Sequence, residues 1–144
     1  MPPREAYDFE YYAQRIAEPE LPEGSWAVRM MRMPLLAVRV GGTRRGGYHP
    51  VPCPCFALAV RDVLQGRPGY PHLRMRWSMG PEEGYVVEWG ERPPMLWPDA
   101  DDAAVGRFYG YSEAAIDQYT ACRSQVVTVP PASCSVFSPQ QPPI

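Results

Sequence analysis

PHLRMRWSMGPEEGYVVEWG, residues Pro71 to Gly90, decides the fold. Two alternating segments face each other across a short polar loop, the pattern of a β-hairpin. In the first arm Leu73, Met75 and Trp77 alternate with His72, Arg74 and Arg76. In the second, Tyr85, Val87 and Trp89 form the apolar set, so both arms have the period of two of a half-buried strand. Gly80, Pro81 and Gly84 bracket Glu82 and Glu83 and supply the turn chemistry. Setting Trp77 opposite Tyr85 brings Met75 opposite Val87 and Leu73 opposite Trp89, which predicts six apolar residues on one side. The same register sets Glu88 opposite Arg74 and diagonal to Arg76, an attraction of about 0.2–1 kcal/mol per pair. The hairpin therefore reads as scaffold, with its basic stripe partly answered from within.

Upstream, Phe56, Ala59, Val60, Val63 and Leu64 fit one face of a helix over 56–65, with Pro54 acceptable in its first turn. Ser25 to Val40 predicts two strands broken at Pro34, since proline is confined to strand edges and bulges. Near the start, Phe9, Tyr12, Ala13 and Ile16 are spaced as one apolar stripe, so the segment 5–18 predicts a helix packed on the sheet until Pro19 and Pro22 stop it. Downstream, the acids Asp99 to Asp102 suit a helix N-terminus, Val105, Phe108 and Tyr109 a buried stripe, Gly110 a C-terminal glycine and Ser112 a second N-cap. The result is an α+β fold: a single domain over 1–129 with an antiparallel sheet built from two strand pairs, about 25–40 and 72–90. An N-terminal helix, the central helix and a helix pair over 100–123 pack with it. Val126 to Val129 is a short β-prone run, and residues 130–144 read as a Pro/Ser-rich tail.

A chain of 144 residues that is 45% hydrophobic has the apolar surface for one core, while 19 prolines keep its elements short. Charge is segregated: residues 1–24 hold two arginines against six acids, residues 25–80 nine against one, and residues 81–144 three against nine. Every positive charge is arginine, and lysine and asparagine are absent, a bias that a high-GC genome explains before function does. The start, MPPREAYDFEYY, lacks the apolar core of a signal peptide and no run is long enough to span a bilayer, so the expected setting is cytoplasmic, away from membranes.

Candidate chemistry is sparse. GGTRRGG, Gly41 to Gly47, reads as a flexible loop presenting Arg44 and Arg45 to an anion, without the lysine and hydroxyl of a P-loop. His49, Cys53 and Cys55 offer three soft ligands but no second knuckle, a weak case for a metal and a weaker one for a thiol nucleophile. No nucleophile, base and orienting group assemble, so neither an enzyme nor a cofactor is expected. Met95, Leu96 and Trp97 stand in a proline-rich segment as candidates for contact with another protein.

Gly106, Gly110 and Ile116, with Val105, Tyr109, Tyr111 and Tyr119, resemble the small, glycine and aliphatic spacing of helix-turn-helix motifs over residues 102–121. That resemblance implies a second helix lying in a DNA major groove. Its outward positions here are Glu113, Asp117 and Gln118, which phosphates repel or ignore. In size and composition the chain is also similar to small uncharacterised proteins of high-GC, actinobacterial-type bacteria. The expectation is a small non-enzymatic binding or regulatory protein acting through protein contacts. The alternative is nucleic-acid binding through the arginine-rich segment 25–80, with Arg44, Arg45, Arg74 and Arg76 as contacts and aromatic neighbours for stacking.

Overall fold

The computed structural model describes residues 1–30, 33–78, 84–93 and 101–125. One 3-10 turn, Pro3–Glu5, leads into helices α1 (Phe9–Arg15) and α2 (Glu20–Glu23), then strands β1 (Trp26–Met30), β2 (Met33–Ala37) and β3 (Gly46–Val51). Helix α3 (Pro54–Leu64), strands β4 (Arg74–Ser78) and β5 (Gly84–Gly90), and helices α4 (Asp102–Phe108) and α5 (Glu113–Gln125) follow. The class is α+β, as the alternation of periods predicts. The two expected strand pairs form, β1 with β2 and β4 with β5, in separate antiparallel sheets. A strand that the sequence reading missed, β3, joins the second sheet and makes its order β3-β5-β4.

The expected hairpin register is present: Arg74 lies opposite Glu88, Met75 opposite Val87 and Trp77 opposite Tyr85. Its loop, residues 79–83, lies outside the described residues. β5 is the central strand, paired along both edges, and both of its faces are covered as well. Val86 and Glu88 on one face and Val87 and Trp89 on the other are all buried. Helix α3 packs over the Val87 and Trp89 face with Ala57, Val60 and Leu64. The sequence placed Ala59 and Val63 inward, but both are exposed and Ala57 takes the inward position. The expected break at Pro34 also moves: Pro34 lies within β2, opposite Arg29, and is tolerated there because both strands of a two-stranded sheet are edges.

β3 begins with Gly46 and Gly47, and close approach explains both. A Cβ on Gly46 would sit 2.7 Å from the Phe108 ring, and one on Gly47 would sit 2.5 Å from the Trp89 indole. Two aromatic rings thus clamp the strand from its opposite faces. β3 is one rim of the sheet and carries Pro50, opposite Val86, which has no amide to donate.

Two cores result. The first gathers Phe9 and Tyr12 of α1 and Ile16 just beyond it, Leu36 and Val38, and Tyr109, Tyr111 and Ile116 from the α4–α5 region. The second gathers Val28, Val51, Val60, Leu64, Tyr70, Val87 and Trp89. Two hydrogen bonds tie the two-stranded sheet to the second core: Tyr70 donates its hydroxyl to the Ala37 carbonyl at 2.5 Å, and Trp89 Nε1 donates to the Val38 carbonyl at 3.0 Å. The helix pair is capped as its sequence predicts. Asp101 accepts from the Ala103 amide at 3.0 Å, Ser112 Oγ from the Ala115 amide at 3.2 Å, and Gly110 adopts φ +76° between the helices. Among the described residues no helix is long and apolar enough to cross a membrane.

Candidate functional site

Of the four arginines singled out as anion contacts, Arg44 goes to the interior. The chain reverses between Gly41 and Arg44, each donating its amide to the other's carbonyl, so the expected open loop is a tight turn. Arg44 is 5% exposed and donates Nη1 to the Tyr109 carbonyl at 2.6 Å. Its backbone packs where a Cβ on Gly110 would lie, 2.5 Å from Arg44 Cβ. It is a structural strut between the turn and the helix pair, removed from any anion in solvent. The partners that bury it are some 65 positions away, so no local signal could have revealed it.

Arg45 stays at the surface, 3.8 Å from Glu91. It lines an open groove of about 960 Å³ together with Thr43, Arg92, Phe108 and Ser112. Arg107, in the same groove, is engaged by Glu113 through two contacts of 2.8 and 3.1 Å. That pairing holds the Glu113 carboxyl below its ordinary range. The groove is a mixed-charge surface, with acids beside its arginines.

Arg74 and Arg76 come together on the sheet and share one buried carboxylate. Arg74 Nε donates to Glu88 Oε1 at 2.8 Å, and Arg76 Nε to Glu88 Oε2 at 2.7 Å. The opposed charges anticipated from the register are therefore in contact. The other side of β4 departs from expectation. Met75 and Trp77 share the Val87 and Trp89 face, yet α3 lies over β5 and β3, leaving Met75 48% and Trp77 55% exposed. Trp77 is held edge-to-face against Tyr85, with ring centroids 5.0 Å apart. Among the described residues β4 has no partner on its outer side, so an open backbone edge and two large apolar side chains coincide. Periodicity identified the face that these residues occupy; it carries no information on how far a helix extends across that face.

The remaining candidates disperse. His49 is fully buried on β3, opposite Val87, and burial pushes its imidazole down to about 4. Cys53 precedes α3 and Cys55 is exposed in its first turn. Among the described residues no three His, Cys, Asp or Glu side chains come together as a metal site. On α5, Glu113, Asp117 and Gln118 face solvent, and Arg123 pairs with Asp102 of α4. Met95, Leu96 and Trp97 lie outside the described residues, as do Val126–Val129 and the tail.

Among the described residues, the fold and its site define a small α+β protein with an aromatic strand, β4, at the rim of its three-stranded sheet. The chain belongs to DUF6302, a family of unknown function, whose model matches residues 1–142. No curated protein and no solved structure matches it.

Proposed function

We propose that this is a non-enzymatic protein-binding module whose partner docks along the outer edge of β4. The observation that carries this reading is Trp77, 55% exposed on a strand with no outer neighbour among the described residues. An edge strand offers a row of main-chain donors and acceptors, and flanking aromatic residues add contact area; together these are the requirements for adding a strand from another chain. Natural edge strands are usually guarded by charge or proline; β4 carries Arg74 and Arg76 on one face, while Met75 and Trp77 leave its other face apolar and exposed.

Nucleic-acid binding draws on fewer arginines than the composition suggests. Arg44 is buried, Arg74 and Arg76 share Glu88, and Arg39 Nη2 donates to the Glu20 carbonyl. Arg67 lies over the Trp26 ring at 3.8 Å. Protein contact is thus the better-supported reading.

The test is photo-cross-linking in extract of the native cells, with a photoreactive phenylalanine analogue at position 77 or, as control, at the exposed Leu58. A discrete adduct is expected from position 77 only, competed by the unmodified protein and not by Trp77→Ser. Equal adducts from both positions overturn the proposal. So does a protein that purifies with nucleic acid, judged by an absorbance ratio at 260 and 280 nm that falls after a high-salt wash, together with a mobility shift lost in Arg45→Ala.

A further inference from the structure

The two guanidinium groups of β4 are not equivalent. Arg74 commits four of its five N–H donors: beyond Glu88, its Nη1 donates to the His72 and Gly90 carbonyls at 3.0 and 2.9 Å, and its Nη2 to the Glu91 carbonyl at 3.1 Å. Arg76 uses Nε alone, on Glu88. Among the described residues its Nη1 and Nη2 have no acceptor, and its side chain is 36% exposed. Glu88 already receives a donor on each oxygen, so two positive charges share one negative charge, and the excess is presented at Arg76. A guanidinium with its terminal nitrogens available matches a carboxylate, which it can engage with two parallel hydrogen bonds.

Resting on the reading of β4 as a docking edge, we propose that its occupant is an extended peptide segment with an apolar, acidic, apolar triplet. The triplet's carboxylate lies opposite Arg76, and its apolar side chains lie opposite Met75 and Trp77. The alternation of a strand requires this pattern. A residue opposite Arg76 projects to the same face as Arg76, and its two neighbours project to the face of Met75 and Trp77. The inner edge of β4 already pairs with such a triplet: Val87, Glu88 and Trp89 of β5, with Val87 opposite Met75 and Glu88 opposite Arg74. The outer edge repeats the requirement one arginine further along.

The same geometry disfavours a second copy of this chain in the two registers centred on β4's middle residues. Antiparallel self-pairing about Arg76 sets Arg76 against its own counterpart, and pairing about Met75 sets Arg74 against Arg76. Like charges directly opposite one another destabilise a strand pair. An acidic partner turns that repulsion into the selecting interaction.

Three fluorescein-labelled peptides test the proposal against the full chain by anisotropy: Ser-Thr-Thr-Val-Glu-Val-Thr-Thr-Ser and the same peptide with Gln or Lys at its centre. The protein is unaltered in this comparison, so folding is not a variable. The Glu peptide is expected to bind about tenfold tighter than the Lys peptide, with Gln between, and the gap to narrow as salt rises. Arg76→Gln should collapse the ranking, while Trp77→Ser should weaken all three alike. Equal binding of the three peptides, or tightest binding of the Lys peptide, overturns the acidic triplet and leaves the docking edge standing. No peptide binding despite a specific adduct at position 77 overturns the extended occupant. Failure of both measurements removes the docking edge itself.

Discussion

The two cores are similar in extent and opposite in the charge chemistry that they bury. The first is built on tyrosine, with Tyr12, Tyr109 and Tyr111 buried, and it holds an acid: Asp8, 6% exposed, accepts from the Leu36 amide through Oδ1 at 2.7 Å and leaves Oδ2 without a donor. The second is aliphatic around Trp89, and its sheet face holds a base, His49, with neither ring nitrogen bonded among the described residues. Burial lifts the Asp8 carboxyl to about 6, outweighing the Leu36 amide that pulls it down, and burial alone lowers the His49 imidazole to about 4. Each core therefore favours the neutral form of its titratable group, and acidification affects them in opposite senses. As pH falls from 6.5 towards 4, the unfolded chain takes up a proton that folded His49 refuses, so stability falls. As pH falls from 6 towards 3.8, folded Asp8 takes up its proton before the unfolded chain does, so stability rises. Each change amounts to about 3 kcal/mol, and over the shared range the two offset one another.

The largest expected effect breaks the second core at its centre. Trp89→Ala should cost about 3–5 kcal/mol, read as a lower denaturant midpoint, because it removes a fully buried indole, its bond to Val38 and the ring that packs on Gly47. Separating the two titrations comes next. Asp8→Asn keeps an acceptor for the Leu36 amide and abolishes the rise, so its stability should drop by about 3 kcal/mol from pH 6.5 to pH 4. His49→Leu abolishes the fall, so its stability should climb by a similar amount over the same range. Parallel pH profiles for the two variants, measured by urea melts, would contradict opposed burial. Within the first core, Gly110→Ala should cost about 1–3 kcal/mol, since a left-handed residue gains a Cβ 2.5 Å from Arg44. The smallest change lies outside both cores. Arg76→Gln should cost about 1–2 kcal/mol, since buried Glu88 loses a charge-assisted donor on Oε2 and keeps Arg74, while changing peptide selectivity.

Local and paired patterns were legible in the sequence. The β4–β5 register followed from alternation plus one acid set against two arginines, and the helix pair followed from Asp101, Gly110 and Ser112 at their caps. β3 was not legible, because Gly46, Gly47 and Pro50 have poor strand propensity and its pairing depends on Phe108 and Trp89, which close on it from distant positions. Arg44 and Arg45 are adjacent and chemically identical, yet one is a buried strut and the other lines a groove; only the position of Tyr109 and Gly110 separates them. The candidate site was half visible. Arg74 and Arg76 were singled out, whereas Met75 and Trp77 were read only as part of the hairpin's apolar side, since a periodic pattern gives the face of a side chain and not the reach of the helix that covers it.

Pro50 gives the sheet a valence. In the docking proposed above a strand adds at the β4 rim, whereas at the β3 rim Pro50 has no amide to donate. An acceptor of this kind takes one strand and stops. It can close off the β-structure of another polypeptide without becoming a link in a fibre, and the mass of its complex should plateau at one partner segment per chain however large the excess.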